Sequence, residues 1–495
     1  MRSVLIANRG EIAVRVIRAC RLKNLRSIAV FCEEDKDSLH VKMADEAYCL
    51  GEEDIECTYL NIPKLLEIIE RSKADAVHPG YGFLSENAEF AREVIEMGKI
   101  FVGPSPDIIE FLGNKVRAKI LAEKVGLPVL PGSEGFVKTF EEAKSVADEI
   151  GYPIIIKAAF GGGGRGMEIV ESEVDLKIAL EGCQSIALKF FGRKEVLIEK
   201  SLELFRHIEI QFMGDNFGNV VHLGDRECTI QRSHQKLIEE APSFLPRDVI
   251  NELGEKTCLL ARELQYSNVG TAEFLCKDDK IYFNEVNPRI QVEHCVTEMV
   301  TGIDLVEAQL DIASNKPLAF TQEEISLDGH AIEYRINAED PNNSYLPQNG
   351  RITHLLVPGG SKVRFDSHIY PNYVIPNNFD SLIGKLIVWG RNRKRAINHS
   401  KHALKELAIS GINTNLDLHK VIVESKEFKK GDLSTDFLIR NNITNDLQDL
   451  ERKKLAAVFQ LVKELNFSIQ QPDPTSSKPS NKWRDLAKIE QFTKI

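Results

Sequence analysis

Ala13, Val16, Ile17 and Cys20 recur at i, i+3, i+4 and i+7, which predicts an amphipathic helix over 11–22. It follows the apolar run 4–7, which reads as a buried strand. The alternation continues, with strands predicted at 27–32, 47–50, 75–78 and 100–102 and helices at 60–71 and 87–97. Strands alternating with helices predict a parallel sheet for residues 1–112. A helix over 115–125 stops at Gly126, and Pro128 and Pro131 mark the entry to a new unit. Between 136 and 200 the order is helix, strand, glycine cluster, strand, helix, strand, a small α+β lobe enclosed by a larger one. Strands at 207–212 and 219–223 and a helix at 248–264 follow. From Gly329 onward, turns at 347–350 and 358–360 predict β-rich structure with one helix at 395–408. An amphipathic stretch at 455–465 then gives way to 471–480, where Pro472, Pro474 and Pro479 among Ser and Thr read as a linker.

The chain has 495 residues, 43% apolar and 28% charged, the balance of an ordinary globular protein of about three domains. Lys plus Arg is 63 against 74 Asp plus Glu, a net charge of −11, so no general nucleic-acid role is expected. Any phosphate must be held in a local pocket. The nine Cys include no CxxC pair and read as reduced, mostly core residues. No 18 apolar residues run together and residues 1–7 show no leader pattern, so the expectation is a cytoplasmic protein without a membrane partner.

Gly161, Gly163 and Gly166 match the G-x-G-x-x-G dinucleotide fingerprint, but the segment after them reads as a strand where the fingerprint needs a helix. The run fits a hairpin-like flap whose bare backbone N–H groups could close over phosphates; the alternative is a flexible surface loop. Lys157 lies in the apolar run entering that flap, where an ammonium either meets an anion or points outward from an edge strand.

The segment 271–287 looks like a hairpin turning at 277–280. With the turn centred on Asp279, Glu273 lies opposite Glu285, and period two adds Asn287 to the same face. Opposed carboxylates need a cation or a shared proton, and two Glu with an Asn carboxamide suit Mg²⁺ or Mn²⁺. A register slipped by one would instead leave both Glu in water. Arg289, Gln291 and Glu293 again alternate, as if the strand carried one polar face further, or as a charged ladder on an exposed edge. The segment 226–236 reads locally as a solvated loop. His78–Asn87 follows a strand and precedes a helix, where open α/β sheets place ligand loops.

Six ordered stretches closely resemble biotin carboxylase, an ATP-grasp ligase: Ile6-Ala-Asn-Arg-Gly-Glu-Ile12, His78-Pro-Gly-Tyr-Gly-Phe-Leu-Ser-Glu-Asn87, Gly161-Gly-Gly-Gly-Arg-Gly-Met167, His234-Gln-Lys-Leu-Ile-Glu-Glu-Ala-Pro242, Glu285-Val-Asn-Pro-Arg-Ile-Gln-Val-Glu-His294 and Tyr334-Arg-Ile-Asn-Ala-Glu-Asp340. The resemblance spans about residues 1–440. It implies mixed α/β and α+β architecture: a parallel-sheet N-terminal domain (1–112), an ATP-grasp domain (113–328) with a lid at about 132–200, and a β-rich C-terminal domain (329–442). The helical segment and Pro/Ser-rich tail at 443–495 would be left for docking partners.

The same resemblance implies an enzyme that uses MgATP to activate bicarbonate as carboxyphosphate and carboxylates biotin. Lys115, Lys157 and the flap residues Gly161, Gly162, Gly163, Gly164 and Gly166 would hold phosphates. Glu199, Lys200 and Leu202 would meet the adenine, with His207, Gln231 and His234 near the nucleotide. Glu273, Glu285 and Asn287 would bind two Mg²⁺ or Mn²⁺ ions, the two Glu also contacting ATP. Bicarbonate would lie against Lys236, Arg289, Gln291 and Val292, with Glu293 as base; Arg335 would stabilise the biotin enolate and Tyr81 would lie near the ureido ring. Pro288, Ser233 and the order Asp225-Arg226-Glu227 depart from the bacterial acetyl-CoA carboxylase component. None of the six Met is followed by Lys, so the Met-Lys-Met biotin attachment motif is missing. The expected partners are therefore a separate biotin carboxyl carrier protein and a carboxyltransferase subunit, with a homodimer implied by the resemblance. An acetyl-CoA or propionyl-CoA carboxylase is the expected parent, ahead of a two-subunit pyruvate carboxylase. A carbamoyl-phosphate-type ligase and a non-catalytic nucleotide-binding scaffold are the alternatives.

Overall fold

The computed structural model describes residues 1–52, 54–160, 166–278 and 280–469. The first sheet contains β1 (Ser3–Ile6), β2 (Arg26–Phe31), β3 (Glu46–Cys49), β4 (Ala76–His78) and β5 (Ile100–Phe101), all parallel, in the order β3-β2-β1-β4-β5. The helix Gly10–Leu22 buries Ala13, Val16, Ile17 and Cys20, the stripe predicted from spacing, and also Ile12, Val14 and Ala19. The strand order reverses between β1 and β4, so the loops after these two strands open into a common crevice. Asn8 ties them together, its Nδ2 donating to the carbonyls of Pro79 (2.7 Å) and Tyr81 (2.8 Å).

The helix Lys115–Lys124 starts at Asn114, whose side chain accepts from the backbone of Val116 and Arg117. The small lobe is a three-stranded antiparallel sheet, β6 (Ile154–Ala158), β7 (Met167–Val170) and β8 (Val196–Lys200), ordered β7-β6-β8 and backed by the helices Phe140–Ile150 and Glu173–Phe191. Ile154, Ile156, Val170, Leu176, Val196 and Ile198 are fully buried between these layers. At about 1.5–3 kcal/mol for each such side chain, this core gives the lobe its own cohesion. Gly161, Gly162, Gly163 and Gly164 lie outside the described residues. Gly166 is described, at φ +70°, with its carbonyl accepting from the Ala158 N–H at 2.8 Å.

The largest sheet is antiparallel and has eight strands. It contains β9 (Arg206–Gly214), β10 (Val220–Arg232), β11 (Gln235–Ala241), β12 (Asn268–Lys277), β13 (Lys280–Asn287) and β14 (His330–Asn337), with Leu382–Gly390 and Val363–Ser367. The order is β13-β12-β9-β10-β11-β14, then Leu382–Gly390 and Val363–Ser367, so residues on both sides of position 328 share one ladder.

β10 overturns the loop expected at 226–236. The strand runs unbroken to Arg232, and only the tip at Ser233, His234 and Gln235 is exposed. Arg226 has no exposed surface: its guanidinium donates to Glu209 Oε2 (3.0 and 2.8 Å), Gln211 Oε1 (2.6 Å), and the hydroxyls of Thr271 and Thr297 (both 3.1 Å). A buried charge is tolerable when every donor is used, and here partners from neighbouring strands and a helix use them.

All nine cysteines are free, with Cys49 and Cys57 exposed and the others buried. The helix predicted at 455–465 is part of a longer one, Ile443–Ile469, anchored by the buried Ile443 and Leu447. The linker at 471–480 lies outside the described residues. No helix among the described residues is long and apolar enough to cross a membrane.

Candidate active site

A cavity of about 930 Å³ opens where the crevice loops of the first sheet, the lid strands and the large sheet meet. Every described side chain expected at the site lines it except Gly166, which sits at the base of the flap. Lys115 begins its helix, Lys157 and Glu199 are diagonal neighbours on the β6–β8 pair, and His207, Gln231 and Lys236 come from β9, β10 and β11. Leu202 lies just beyond β8, and His234 is exposed at the β10–β11 tip with φ +64°. Lys157 is buried and donates to Glu199 Oε2 at 2.7 Å, so its ammonium meets an anion and does not point outward from an edge. Lys200 lines the cavity, and its ammonium donates to the carbonyls of Gly151 (3.0 Å) and Tyr152 (2.8 Å).

Glu273 and Glu285 are directly paired across β12 and β13, and Asn287 follows on the same face. The route to this register differs from the expected one. Lys277 pairs with Lys280, which puts the turn centre half a residue earlier than Asp279. A bulge at Asn284 adds one residue to β13 and restores the opposition. The bulged Asn284 is itself used: its Oδ1 lies 3.4 Å from Lys157 Nζ.

Cations surround the carboxylate pair. Lys115 bonds Glu285, while Glu273 lies 3.2 Å from Lys236 Nζ and 3.2 Å from His207 Nε2 and accepts from Asn287 Nδ2 at 3.0 Å. Burial penalises the charged form of Glu273, yet Lys236 and His207 outweigh it and hold the carboxyl well below its usual range. Two opposed carboxylates and one amide oxygen, all hard donors, are a set that fits a divalent magnesium-type ion.

Arg289, Gln291 and Glu293 do not continue the strand, contrary to the expected polar ladder. β13 ends at Asn287, because Pro288 has no N–H for the ladder, and Glu293 immediately precedes the helix His294–Thr301. The loop nevertheless turns all three side chains to the cavity. Arg289 donates to Glu86 (2.5 Å), Gln291 Oε1 (2.8 Å) and Asn287 Oδ1 (3.2 Å). Glu293 is fully buried and bridged by two cations, Lys236 Nζ at 2.8 Å and Arg335 Nη2 at 2.9 Å. Burial opposes its charge, but Lys236, Arg335 and Arg226 keep it well below the ordinary carboxylate range. Tyr81 donates its hydroxyl proton to Glu11 Oε2 at 2.6 Å.

Three residues of the site were not found from sequence. Lys119 lies 3.4 Å from Glu199 and is one helical turn after Lys115, so i, i+4 spacing could have flagged it. Glu209 bonds both Lys236 and Arg226 beneath the cavity, and its signal is period two with His207 on β9. Glu239 accepts from Arg335 Nε at 2.5 Å, and burial raises its carboxyl to about 7. No local pattern marks it.

The family models that match are the biotin carboxylase N-terminal domain over 1–109, the carbamoyl-phosphate synthase L chain ATP-binding domain over 114–321, and the biotin carboxylase C-terminal domain over 333–440. The chain is 49% identical over 441 residues to a biotin carboxylase of Nostoc, an alignment covering 89% of this chain and 99% of that one. It is 46% identical over 441 residues to biotin carboxylase 1 of Bacillus subtilis, covering 88% and 98%, and 47% identical over 474 residues to a pyruvate carboxylase subunit from Methanothermobacter thermautotrophicus, covering 92% and 96%. The structure superposes with a TM-score of 0.88 and 44% identity on the biotin carboxylase domain dimer of Hydrogenobacter thermophilus 2-oxoglutarate carboxylase, solved with MgADP, ADP and bicarbonate and covering 90% of this chain and 98% of that one. The carbamoyl-phosphate synthase model matches only the ATP-binding middle, and biotin carboxylase models match what flanks it. With the flanking models, the near-complete alignments and the shared fold all pointing the same way, this chain belongs to the biotin carboxylase family of ATP-grasp ligases.

Proposed function

We propose that the cavity uses MgATP and bicarbonate to carboxylate biotin carried on a separate protein. The observation that supports this best is Glu293, a buried carboxylate bridged by Lys236 and Arg335 in the same cavity as the opposed Glu273 and Glu285. Lys115, Lys157 and the flap glycines would hold phosphates. Glu199, Lys200, Leu202, His207, Gln231 and His234 would frame the rest of the nucleotide. Glu273, Glu285 and Asn287 would hold divalent ions, which supply charge neutralisation of the phosphoryl oxygens.

Bicarbonate is a poor nucleophile. Arg289, Gln291 and Lys236 would fix it in line with the γ-phosphate, and Glu293 would accept its proton. In the arrangement described, Glu293 is too strongly ion-paired to be a good base. Anionic bicarbonate and the biotin enolate compete for Lys236 and Arg335, and as those cations turn to substrate the basicity of Glu293 rises. Carboxyphosphate hydrolyses in open water, which gives the lid a reason to close.

The acceptor of the carboxyl group is chosen by the transferase that consumes carboxybiotin. The site thus serves acetyl-CoA, propionyl-CoA and pyruvate carboxylases alike. A carrier protein, a carboxyltransferase and a second copy of the chain complete the proposed assembly. Nine free thiols suit the reducing cytoplasm. The test is bicarbonate-dependent ADP release by the purified chain, which should rise on adding free biotin. Bicarbonate-dependent release indifferent to biotin would favour a carbamoyl-phosphate-type ligase, and no turnover at all a scaffold.

A further inference from the structure

Lys385 sits on the strand Leu382–Gly390, directly opposite Arg335 on β14 and opposite Asp366 on Val363–Ser367. Cations facing each other across a ladder repel, and an ammonium taken out of water is costly unless anions and acceptors surround it. Lys385 has no exposed surface. Its Nζ donates to the Val292 carbonyl at 2.8 Å and to Cys295 Sγ at 3.2 Å, and it lies 3.2 Å from Glu11 Oε1. The other oxygen of Glu11 accepts from the Tyr81 hydroxyl. One ammonium therefore joins three parts of the chain: the crevice of the first sheet, the loop after β13 and the last long strand.

That loop is the segment most in need of support. Residues 288–293 have no ladder partner, yet three consecutive odd-numbered side chains must reach the cavity from it. The Val292 carbonyl lies one residue before Glu293, so its orientation sets where that carboxylate points.

We propose that Lys385 is a positioning residue for the bicarbonate and biotin subsites, pinning the 288–293 loop through the Val292 carbonyl and Tyr81 through Glu11. This rests on the assignment of those subsites given above. Lys385→Met keeps the bulk but leaves Val292 without its donor and Glu11 without its cation. In the full chain, its bicarbonate KM should rise and its kcat fall, each by about tenfold or more, since small misplacements of reacting groups can cost about 100-fold. MgADP affinity should stay within about twofold, because no nucleotide contact is touched. Lys385→Gln, which retains an N–H donor but no charge, should recover the bicarbonate KM more than the biotin KM.

Amide hydrogen exchange over 289–295, measured without substrates, should accelerate in Lys385→Met while the lid helix Glu173–Phe191 stays as in the wild type. If Lys385→Met does not fold, Lys385→Gln and Glu11→Gln carry the same measurements, with smaller changes in the same direction. Wild-type kinetics and wild-type exchange in these variants would overturn the proposal. So would a proportional loss of MgADP affinity, bicarbonate KM and melting temperature, which would mark Lys385 as merely structural. A wild-type chain indifferent to bicarbonate would sink the subsite assignment, and the exchange experiment would still decide whether Lys385 holds the loop.

Discussion

At the residue scale the site is a set of charges that restrain one another. Glu293→Gln preserves shape and removes the proposed proton acceptor. It should lower bicarbonate-dependent kcat by about 100- to 10,000-fold, the usual worth of a positioned base, while nucleotide affinity holds. Single-turnover ADP formation checks this. Away from the cavity, Glu240 accepts from Arg393 (2.6 and 2.8 Å) and from His330 (2.8 Å). Burial opposes its charge, but Arg393 and His330 bring the carboxyl down to about 2. A carboxyl depressed on folding stabilises the protein above its unfolded-state pKa and loses that contribution as pH falls toward the folded value. Arg393→Met should thus cost about 3 kcal/mol near pH 7, with the gap to wild type narrowing from about pH 5 down toward about pH 2 in urea titrations. Residue identities such as Arg335 and Tyr81 acquired roles only through family resemblance. Composition and spacing are silent on them because their partners, Glu239 and Glu11, are distant in sequence.

At the scale of elements, periodicity located the first-sheet helices and strands well, because each shows one apolar stripe or one buried run. It failed where polar residues satisfy one another across strands. The second half of β10 looked solvated until Arg226 met Glu209 on the neighbouring strand. It also failed at Pro288, where a two-residue alternation outlived the strand that would justify it. The β12–β13 hairpin was read correctly for an incomplete reason: an assumed turn centre and an unforeseen bulge cancel. Deleting Asn284 separates the two. Closing the bulge leaves a regular ladder in which Glu285 still opposes Glu273 and Asn287 stays on their face, so only the Asn284 contact to Lys157 and the local kink are lost. Changes merely behind metal ligands typically cost about 10- to 100-fold in metal affinity, and this one should cost no more than that, read as the Mg²⁺ or Mn²⁺ needed for ADP release; a larger loss would show that the register depends on the bulge.

At the scale of the whole molecule, the lid lobe and the first sheet have their own cores, whereas the large sheet belongs to both the ATP-binding middle and the C-terminal third. Sequence segmentation put a boundary at 328 because turn-rich composition resumes there, and composition carries no information about which strands pair. β11 and β14 are joined from Ile238–Tyr334 to Ala241–Ala331, across that position. A fragment of residues 1–328 would keep every residue proposed to touch ATP but leave β11 as a bare edge, which invites pairing with other chains. It should collect in the insoluble fraction unless residues 329–495 are co-expressed, a solubility assay on split halves. Exchanging modules among carboxylases by cutting at the apparent domain seam would therefore tear a continuous fabric, and hybrid enzymes of this kind are better spliced at the two ends of the lid, the lobe that has a sheet and a core of its own.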